Sequence, residues 1–153
     1  MLILMQVSLI HIGSVARSKD ELGQLTDSYM KKSSAFSQCR TESFRSETQF
    51  LDWLTRQQGR TAPVAVLLDS KGSQMTSENL AAWVRERRDD GTQHLVFAIG
   101  PADGWSSNAL NKARLKLSLG TMTMAHSLAR LVMAEQIYRI STILTGHPYH
   151  TGH

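Results

Sequence analysis

Two continuous apolar runs place the strongest limit on how this chain can fold. Residues 63–69 read Pro-Val-Ala-Val-Leu-Leu-Asp, and residues 94–99 read His-Leu-Val-Phe-Ala-Ile. Neither run alternates apolar with polar residues, so each predicts a strand that is buried on both faces. Strands of this kind belong to parallel sheets that helices cover on both sides.

Helical patterns separate these runs from further strand-like segments. Strands that alternate with helices predict an α/β fold with a mostly parallel sheet and helices on both faces. The predicted order is a strand over residues 2–12, a helix from a Ser18 cap to Lys32, an edge-like strand over 36–44, a helix from a Ser46 cap to Gly59, a strand over 63–69, a helix over 77–89, a strand over 94–99, a helix from Ser106 or Ser107 to Ala113, a strand over 115–119 and a helix over 127–144.

Length and composition predict one soluble globular domain over residues 1–153. The chain is 41% hydrophobic and 20% charged, which is the balance of an ordinary globular protein. Its one cysteine, Cys39, cannot form an intrachain disulfide, and this fits a reducing compartment. The formal net charge of +4 favours a polyanionic partner such as a nucleic acid, although many basic proteins have none.

The apolar start of the chain has two interpretations. Residues 1–12 resemble a signal peptide in hydrophobicity, but no basic segment precedes them, and Gln6 and Ser8 interrupt the run. A first strand is therefore the preferred interpretation. No segment approaches the roughly 18 uninterrupted apolar residues that a membrane span requires. We expect a cytoplasmic protein with no membrane partner.

Three predicted loops are candidate ligand sites because parallel sheets bind ligands at the carboxyl ends of their strands. These loops are residues 69–73, 100–105 and 120–125. The chain has no G-x-x-x-x-G-K-[ST] motif, and only a lone Gly13 follows the first strand. The sequence therefore favours a ligand held by backbone and apolar contacts over one held in a phosphate-binding loop.

The C-terminal tail carries His147, His150 and His153 at a spacing seen among metal ligands. Pro148 interrupts the segment, however, and no cysteine or carboxylate lies near enough in sequence to complete a site, so no metal is predicted. Covalent catalysis is not expected either, since Cys39 has no basic neighbour and no serine lies in a G-x-S-x-G motif. The tail is either a solvated terminus or a segment that closes over a pocket.

The predicted last helix has an apolar face that is wider than one packing partner needs. Met133 and Ile143 broaden the stripe, which indicates two covered sides, such as the sheet and a partner subunit. Three charged residues in this helix, Arg130, Glu135 and Arg139, would then need partners.

Several ordered motifs resemble those of a known family. The likeness covers most of the chain, although the N-terminal half matches only loosely. Near the C-terminus these are Met122-Thr123-x-x-His126-x-x-x-Arg130, Glu135-Gln136-x-Tyr138-Arg139 and Pro148-Tyr149-His150. They resemble the C-terminal signature of the large-subunit ribosomal RNA pseudouridine N3-methyltransferases, which are the H-type family of the SPOUT class. Further upstream, and in the same order, Leu68-Asp69-x-x-Gly72 and Ile99-Gly100 also match.

This resemblance implies a fold, a cofactor and partners. The expected fold is the SPOUT α/β knot, in which the C-terminal segment threads a deep trefoil, an exception to the rule that chains do not thread loops. The expected cofactor is S-adenosylmethionine, and the expected assembly is a homodimer. The implied substrate is large-subunit ribosomal RNA or the assembled ribosome, with no DNA partner.

By residue match, the resemblance places the cofactor against the three loops identified above. One departure lies in the second loop, where the family commonly has Gly-Gly-Pro-Glu-Gly or Gly-Gly-Ala-Asp-Gly and this chain has Gly-Pro-Ala-Asp-Gly. Pro101 has no N–H, so any cofactor contact through that amide is lost, whereas a carbonyl or apolar contact survives. The matched residues are Leu68, Gly100, Leu119, Gly120, Thr121, Met122, Thr123 and Met124.

The catalytic expectations also follow from the resemblance. We expect Arg139, Tyr149 and His150 to orient the pseudouridine, with the tail reaching across the dimer, and His126 to lie beside the cofactor loop. Two simpler interpretations stay open: His126 bonds a backbone carbonyl, or Arg139 only pairs with Glu135 one helical turn away. The N3 proton lies between two carbonyls, so a modest base or solvent suffices to remove it.

Two other functions remain open. One is a SPOUT-fold protein that has lost catalysis and serves in RNA binding or ribosome assembly, for which Pro101 is the only hint. The other is a SPOUT methyltransferase that acts on a different RNA. Basic residues on the helix faces either contact RNA phosphates or form a solvated surface, namely Lys112, Arg114, Lys116 and the arginines of residues 85–88.

Overall fold

A computed structural model of the chain describes residues 5–13, 20–57 and 59–152. Five parallel strands form one sheet in the order β2-β1-β4-β3-β5. The elements are β1 (Gln6–Ile12), α1 (Glu21–Ser33), β2 (Gln38–Phe44), α2 (Glu47–Arg56), β3 (Val64–Gln74), α3 (Ser77–Asp89), β4 (His94–Ile99), α4 (Ser107–Lys112), β5 (Leu115–Ser118), α5 (His126–Thr145) and a terminal 3₁₀ turn (His150–Gly152).

Helices cover both faces of the sheet, and each face has its own apolar core. Helices α1, α3 and α5 pack on one face, where Leu9, Phe97 and Met133 are buried. Helices α2 and α4 pack on the other, around Phe50 and Leu67. Strand β4 is buried throughout, whereas β3 is buried at residues 65–67 and becomes exposed towards its end; β1 is buried from Val7 to Ile12 as well. The predicted α/β class with a parallel sheet is confirmed.

Most predicted elements are present, with corrections at their ends. Helix α1 begins after Asp20, whose carboxylate caps the Leu22 N–H, whereas the predicted cap, Ser18, lies outside the described residues. Helix α2 ends at Arg56, before Gly59, because Gln57 is already extended at ψ 124°. Its predicted cap, Ser46, is confirmed, and β2 is an edge strand as expected.

The predicted loop over residues 69–73 is instead a bulge within the long strand β3. Leu68 and Ser73 both pair with Leu117 of β5, so the residues between them leave the ladder. Gly72 permits this close approach, because a Cβ there would lie 2.5 Å from the Lys116 carbonyl oxygen. Leu68, Asp69 and Ser70, at the start of the bulge, lie beside the loops that follow β4 and β5.

Helix α5 packs on the same face of the sheet as α1 and α3. It ends at Thr145, and its C-cap is Gly146, which has a φ of +76°. Glycine adopts this left-handed conformation without a steric penalty, so it ends the helix and starts the tail. Met133 and Ile137 of α5 face the sheet and are buried. Within the described residues, no helix has the length and apolar character needed to cross a membrane.

Candidate functional site

A cavity opens at the edge of the sheet where β3, β4 and β5 end. Its volume is about 440 Å³, which is typical of small-molecule sites, commonly about 300–1,000 Å³. The bulge of β3 at Leu68, Asp69 and Ser70, the loop after β4 and the loop after β5 form its walls. This is the edge at which parallel sheets bind ligands.

Backbone contacts shape the loop after β5. The Ser118 hydroxyl donates to the Gly120 carbonyl over 3.0 Å and accepts from the Gly120 N–H over 3.2 Å. Gly120 has a φ of +133°, which residues with a Cβ rarely adopt. The following residues are exposed, and Met122 has 86% of its surface open. The loop therefore presents an apolar side chain and backbone groups at the cavity.

Trp105 joins the loop after β4 to the end of β3. Its Nε1–H donates to the Leu68 carbonyl over 2.9 Å. The indole also covers Gly100, where a Cβ would lie 2.7 Å from ring atoms of Trp105. The next residue, Ser106, is held by Glu47 of α2, whose carboxylate accepts from both the Ser106 N–H and its hydroxyl. The loop is thus fixed against both β3 and α2.

Pro101 lines the cavity and closes the turn after Gly100. Its carbonyl accepts from the Gly104 N–H over 2.9 Å, and Gly104 has a φ of +89°. A carbonyl oxygen has two lone pairs, so this bond leaves one for a ligand. The proline removes one amide donor from the cavity but maintains the turn.

The structure brings all the predicted cofactor residues to this one cavity. They come from three segments that are far apart in sequence, and each has at least one atom on the cavity surface. The residues are Leu68, Gly100, Leu119, Gly120, Thr121, Met122, Thr123 and Met124. Asp69 and Asp103 line it too, and the Asp69 carboxylate accepts from the Lys71 N–H, as a loop cap does.

His126 begins α5 and also lines the cavity. Its ring lies edge-on to the ring of His11 at the end of β1, with 6.2 Å between centroids. Among the described residues, no backbone carbonyl accepts a hydrogen bond from His126, so this simpler interpretation finds no support there. His11 is only 7% exposed, and burial lowers its pKa, as do the nearby charges of Arg130 and His126.

A second cluster of predicted residues forms around Glu135 of α5. Arg139 donates to Glu135 Oε1 from Nε over 3.0 Å and from Nη2 over 2.7 Å. The Tyr149 hydroxyl donates to the same oxygen over 3.0 Å, and Gln136 donates to Oε2 over 2.9 Å. We call Glu78, Glu135, Arg139, Tyr149 and His150 the tail cluster. The ion pair between Arg139 and Glu135 is the one that the sequence analysis gave as the simpler role of Arg139.

His150 connects this cluster to the start of α3. Arg139 Nη1 donates to His150 Nδ1 over 3.0 Å, and His150 Nε2 lies 2.7 Å from Glu78 Oε1. Because a guanidinium can only donate, Nδ1 must be the acceptor and Nε2–H the donor to Glu78. His150 is therefore held as one neutral tautomer. Its hydrogen bond is the main cause of the lowered pKa of Glu78.

Tyr149 and Arg139 have fixed protonation states in this cluster. Burial raises the pKa of Tyr149, and hydrogen bonds with Tyr29 and Glu135 raise it further. The hydrogen bond to Glu135 also raises the pKa of Arg139. At neutral pH Tyr149 is a phenol and Arg139 a cation, so both act as hydrogen-bond donors. Neither can serve as the general base.

The cavity and the tail cluster are separate within one chain. Arg139 follows His126 by 13 residues of the same helix, which corresponds to about 20 Å at about 1.5 Å per residue. The structure thus brings His126 to the cavity and places Arg139, Tyr149 and His150 elsewhere.

The remaining predictions concern metals and basic surfaces. In the described residues, no three potential metal ligands come together, and His153 lies outside that part of the chain. Lys112, Arg114 and Lys116 are exposed, as expected. Arg87 is a correction: its side chain is only 13% exposed and stacks over Trp83. It packs onto the protein surface instead of pointing outward.

Sequence reasoning missed the roles of Trp105, Glu47 and Glu78. Each makes its decisive contact with a residue at least 37 positions away, so no local pattern reveals it. Only Glu78 could have been noticed from the sequence, because it is an acidic residue in the first turn of the helix predicted over residues 77–89.

Comparisons with known proteins identify the family of this chain. A family model described as "Predicted SPOUT methyltransferase" matches residues 5–150. The chain is 46% identical to the ribosomal RNA large subunit methyltransferase H of Koribacter versatilis over 149 residues, which are 97% of this chain and 100% of that protein. The Brucella ovis protein of the same name is 48% identical over 85 residues, 56% of this chain and 50% of its own length.

A solved structure shares the fold. The SpoU methyltransferase AviRb from Streptomyces viridochromogenes, solved in complex with the cofactor AdoMet, superimposes with a TM-score of 0.51. The two sequences are 11% identical, and the match covers 89% of this chain and 57% of that chain. The likeness supports the α/β architecture described above.

Proposed function

The chain belongs to the SPOUT methyltransferase family, and from this premise we propose that it methylates a pseudouridine N3 in large-subunit ribosomal RNA with S-adenosylmethionine as donor. The observation that carries the proposal is that eight residues matched from three distant segments line one cavity. Its relatives in K. versatilis and B. ovis are named for the same class of RNA.

The cavity suits a donor such as S-adenosylmethionine in both size and chemistry. Its walls supply backbone N–H and carbonyl groups around Gly100 and Gly120, which can recognise an adenine and a ribose. Apolar surface comes from Leu119, Met122 and Met124. S-Adenosylmethionine supplies an electrophilic methyl group on a sulfonium ion. The chain's part is to hold this donor and the target base in line.

The tail cluster suits the target base. Arg139 and Tyr149 are donors with fixed protonation states, and a pseudouridine ring offers carbonyl acceptors on both sides of N3. Hydrogen bonds to those carbonyls would orient N3 and stabilise the negative charge that develops as its proton leaves. As N3 bonds to the methyl carbon, the methyl–sulfur bond breaks and the N3 proton passes to solvent or to a neutral base.

We propose further that one subunit's cavity works with the partner's tail cluster. The roughly 20 Å along α5 between His126 and Arg139 argues against a site formed within one chain. Helix α5 also offers a surface for a homodimer, since Leu128 is 40% exposed and Val132 lines a groove with Met75 and Leu119. A monomer in sedimentation at micromolar concentration would remove this model.

The trefoil knot that the resemblance implies is part of the proposal. Its support is that the loop after β5 shares one cavity with the bulge of β3 and with the loop after β4. Pulling the chain from both termini in a force spectrometer should leave its contour length short of that of a fully extended chain, by the length held in the tightened knot. A full contour length would exclude the knot.

Two measurements test the activity. Isothermal titration should show S-adenosylmethionine binding, and mass mapping of ribosomal RNA from a deletion strain should show one methyl group lost from a pseudouridine. No detectable cofactor binding would favour a protein that only binds RNA or assists ribosome assembly. Cofactor binding together with an unchanged ribosomal RNA map would indicate a methyltransferase that acts on another RNA.

Mixing two inactive variants tests the shared site. Arg139→Met disables the tail cluster, and Gly120→Val disables the cavity because valine is strained at a φ of +133°. In a shared-site dimer, one of the two sites of a mixed dimer is intact. Random exchange makes half of the dimers mixed, so about one quarter of wild-type activity should return. If each chain forms its own site, no activity returns.

A further inference from the structure

A basic cluster lies behind the part of the cavity wall that His126 forms. His126 and Arg130 are one turn apart on α5, and the ring of His11 packs against His126. Both residues lie close enough to His11 to lower its pKa, although burial is the larger cause. We call His11, His126 and Arg130 the basic cluster.

Polar atoms in this cluster lack partners. Among the described residues, His11 Nε2 and Arg130 Nε are buried and have no hydrogen-bond partner. The His11 residue is itself more than nine-tenths buried. An unpaired buried polar atom costs about 1–3 kcal/mol, so two such atoms in one cluster need an explanation.

The start of α5 adds further backbone donors that no side chain caps within the described residues. Helix α5 has 20 residues, and its N-cap is Ala125, which makes no side-chain hydrogen bond. The first backbone N–H groups of a helix need acceptors, and the helix dipole places positive potential there. In the described residues, Asp27 of α1 is the one carboxylate whose charge acts on Arg130. The neighbours of His11 in β2 and β4, Ser43 and Ile99, carry no charge.

We propose that the basic cluster binds an oxyanion beside the cofactor cavity, and that during turnover this oxyanion is a phosphate of the RNA chain next to the target nucleotide. The phosphate would accept from Arg130, from His126 and from the N–H groups of the first turn of α5. It would also provide the acceptor that His11 lacks. This deepens the proposed function and rests on it for the identity of the anion.

An RNA phosphate suits the position of the cluster better than the carboxylate of the cofactor does. Only His126 belongs to both the basic cluster and the cavity lining; His11 and Arg130 lie outside the lining. A cofactor seated on the loops after β3, β4 and β5 would fill the cavity, whereas an RNA strand must enter beside it. Phosphates flanking the target base are then the nearest anions that this cluster can reach.

The first experiment compares RNA binding by Arg130→Met, Arg130→Lys and a matched control, Arg60→Met. Arg60 is exposed and precedes β3 at the opposite edge of the sheet. Arg130→Met should weaken binding to ribosomes about tenfold and reduce the slope of log K against log salt by about one. Arg130→Lys should recover most of the slope, and Arg60→Met should match wild type. An unchanged slope in a folded Arg130→Met variant would overturn the proposal.

A second arm separates the two sources of oxyanion. Arg130→Met is titrated with S-adenosylhomocysteine, which has the carboxylate, and with methylthioadenosine, which lacks it. The RNA phosphate model predicts unchanged affinity for both. Weaker binding of S-adenosylhomocysteine alone would assign the cluster to the cofactor and overturn the phosphate assignment.

A third arm tests the site independently of the methyltransferase activity. Inorganic phosphate is titrated into the free protein while the ring resonances of His11 and His126 are followed by NMR. Saturable shifts in both rings, absent in Arg130→Met, support the site even if no RNA is methylated. Absent or non-saturating shifts would overturn it even in an active enzyme.

Discussion

The cavity and the tail cluster lie along the same helix but are built in opposite ways. The cavity is formed by small residues, backbone groups and apolar side chains, with Gly100 and Gly120 at its centre. The tail cluster is formed by long polar side chains that already satisfy one another, such as Arg139 with Glu135 and His150 with Glu78.

This difference indicates how each region contributes to binding. The cavity already has an open volume, so it can accept a ligand with little rearrangement. The tail cluster has its donors engaged, so a substrate must replace existing hydrogen bonds, and each exchange has a small net free energy. We therefore expect affinity for the cofactor to depend on shape in the cavity, and turnover to depend on charge in the tail cluster.

Replacing Arg139 should give the largest effect. Arg139→Met removes the donor that is shared between Glu135 and His150, and with it the positive charge proposed to face the developing negative charge on the base. The methylation rate should fall about 10³-fold, while the affinity for S-adenosylmethionine stays within about threefold. Single-turnover kinetics and isothermal titration measure the two quantities.

Arg139→Lys serves as the matched control, because it keeps the charge but lacks the planar fork that contacts Glu135 twice. Its rate should lie between wild type and Arg139→Met. If Arg139→Met loses cofactor affinity in parallel with its rate, the two regions are not separate, and the comparison fails.

A methyl group at Gly100 should give the next largest effect, now on the cavity. The added Cβ would lie 2.7 Å from the Trp105 ring, which is itself bonded to Leu68. Displacing that ring costs about 1–3 kcal/mol, so Gly100→Ala should weaken cofactor binding about 5- to 150-fold. Gly152→Ala is the control, since its Cβ meets nothing within 4 Å. Equal affinities for the two variants would show that the loop is not shaped by this contact.

Trp105→Phe should have a smaller effect of the same kind. It keeps an aromatic ring over Gly100 but removes the Nε1–H that donates to the Leu68 carbonyl. One lost hydrogen bond corresponds to a change of about 0.5–1.5 kcal/mol, or roughly three- to tenfold in cofactor affinity. Titration followed by a thermal melt distinguishes this from unfolding. Unchanged affinity with an unchanged melt would leave Trp105 with a packing role only.

The residues that line the cavity could be predicted from the sequence, whereas the contacts that hold its loops in place could not, and the reason is physical. Strand ends and small-residue loops are local features, and parallel pairing brings the ends of β3, β4 and β5 together. The contacts that hold these loops, such as Trp105 with Leu68 and Glu47 with Ser106, depend on packing between distant segments. The extension of β3 past Asp69 was missed because its residues are polar and include Gly72.

In the tail cluster, one contact could be predicted from the sequence and another could not. Arg139 and Glu135 could be paired from their helical spacing alone, and the structure contains that pair. The partnership of His150 with Glu78 crosses 72 residues and follows from the position of the tail against α3. Spacing within one helix is therefore readable from sequence, whereas the docking of a terminal segment is not.

The smallest expected effect concerns stability far from both regions. His94 begins β4 at the other end of the sheet, where it is buried and its Nε2 lies 2.8 Å from the Ser8 hydroxyl. Burial, with a smaller contribution from Arg40, lowers the pKa of His94 below its ordinary value of 6.5. The unfolded chain then binds a proton at His94 more readily than the folded chain does. The free energy of unfolding is therefore unaffected by this group above about pH 6.5 and falls as the pH drops below that value.

Urea unfolding at pH 7.5 and pH 5.5 should therefore show a lower midpoint at the acidic pH. His94→Asn should shrink the difference between the two midpoints, whatever it does to either midpoint alone. His147→Asn, which replaces an exposed ring, should leave that difference as in wild type. Because His94 lies away from the cavity and the tail cluster, cofactor affinity at pH 7.5 should not change. An unaltered midpoint difference in His94→Asn would assign the acid sensitivity to other groups, with buried His11 the first to examine.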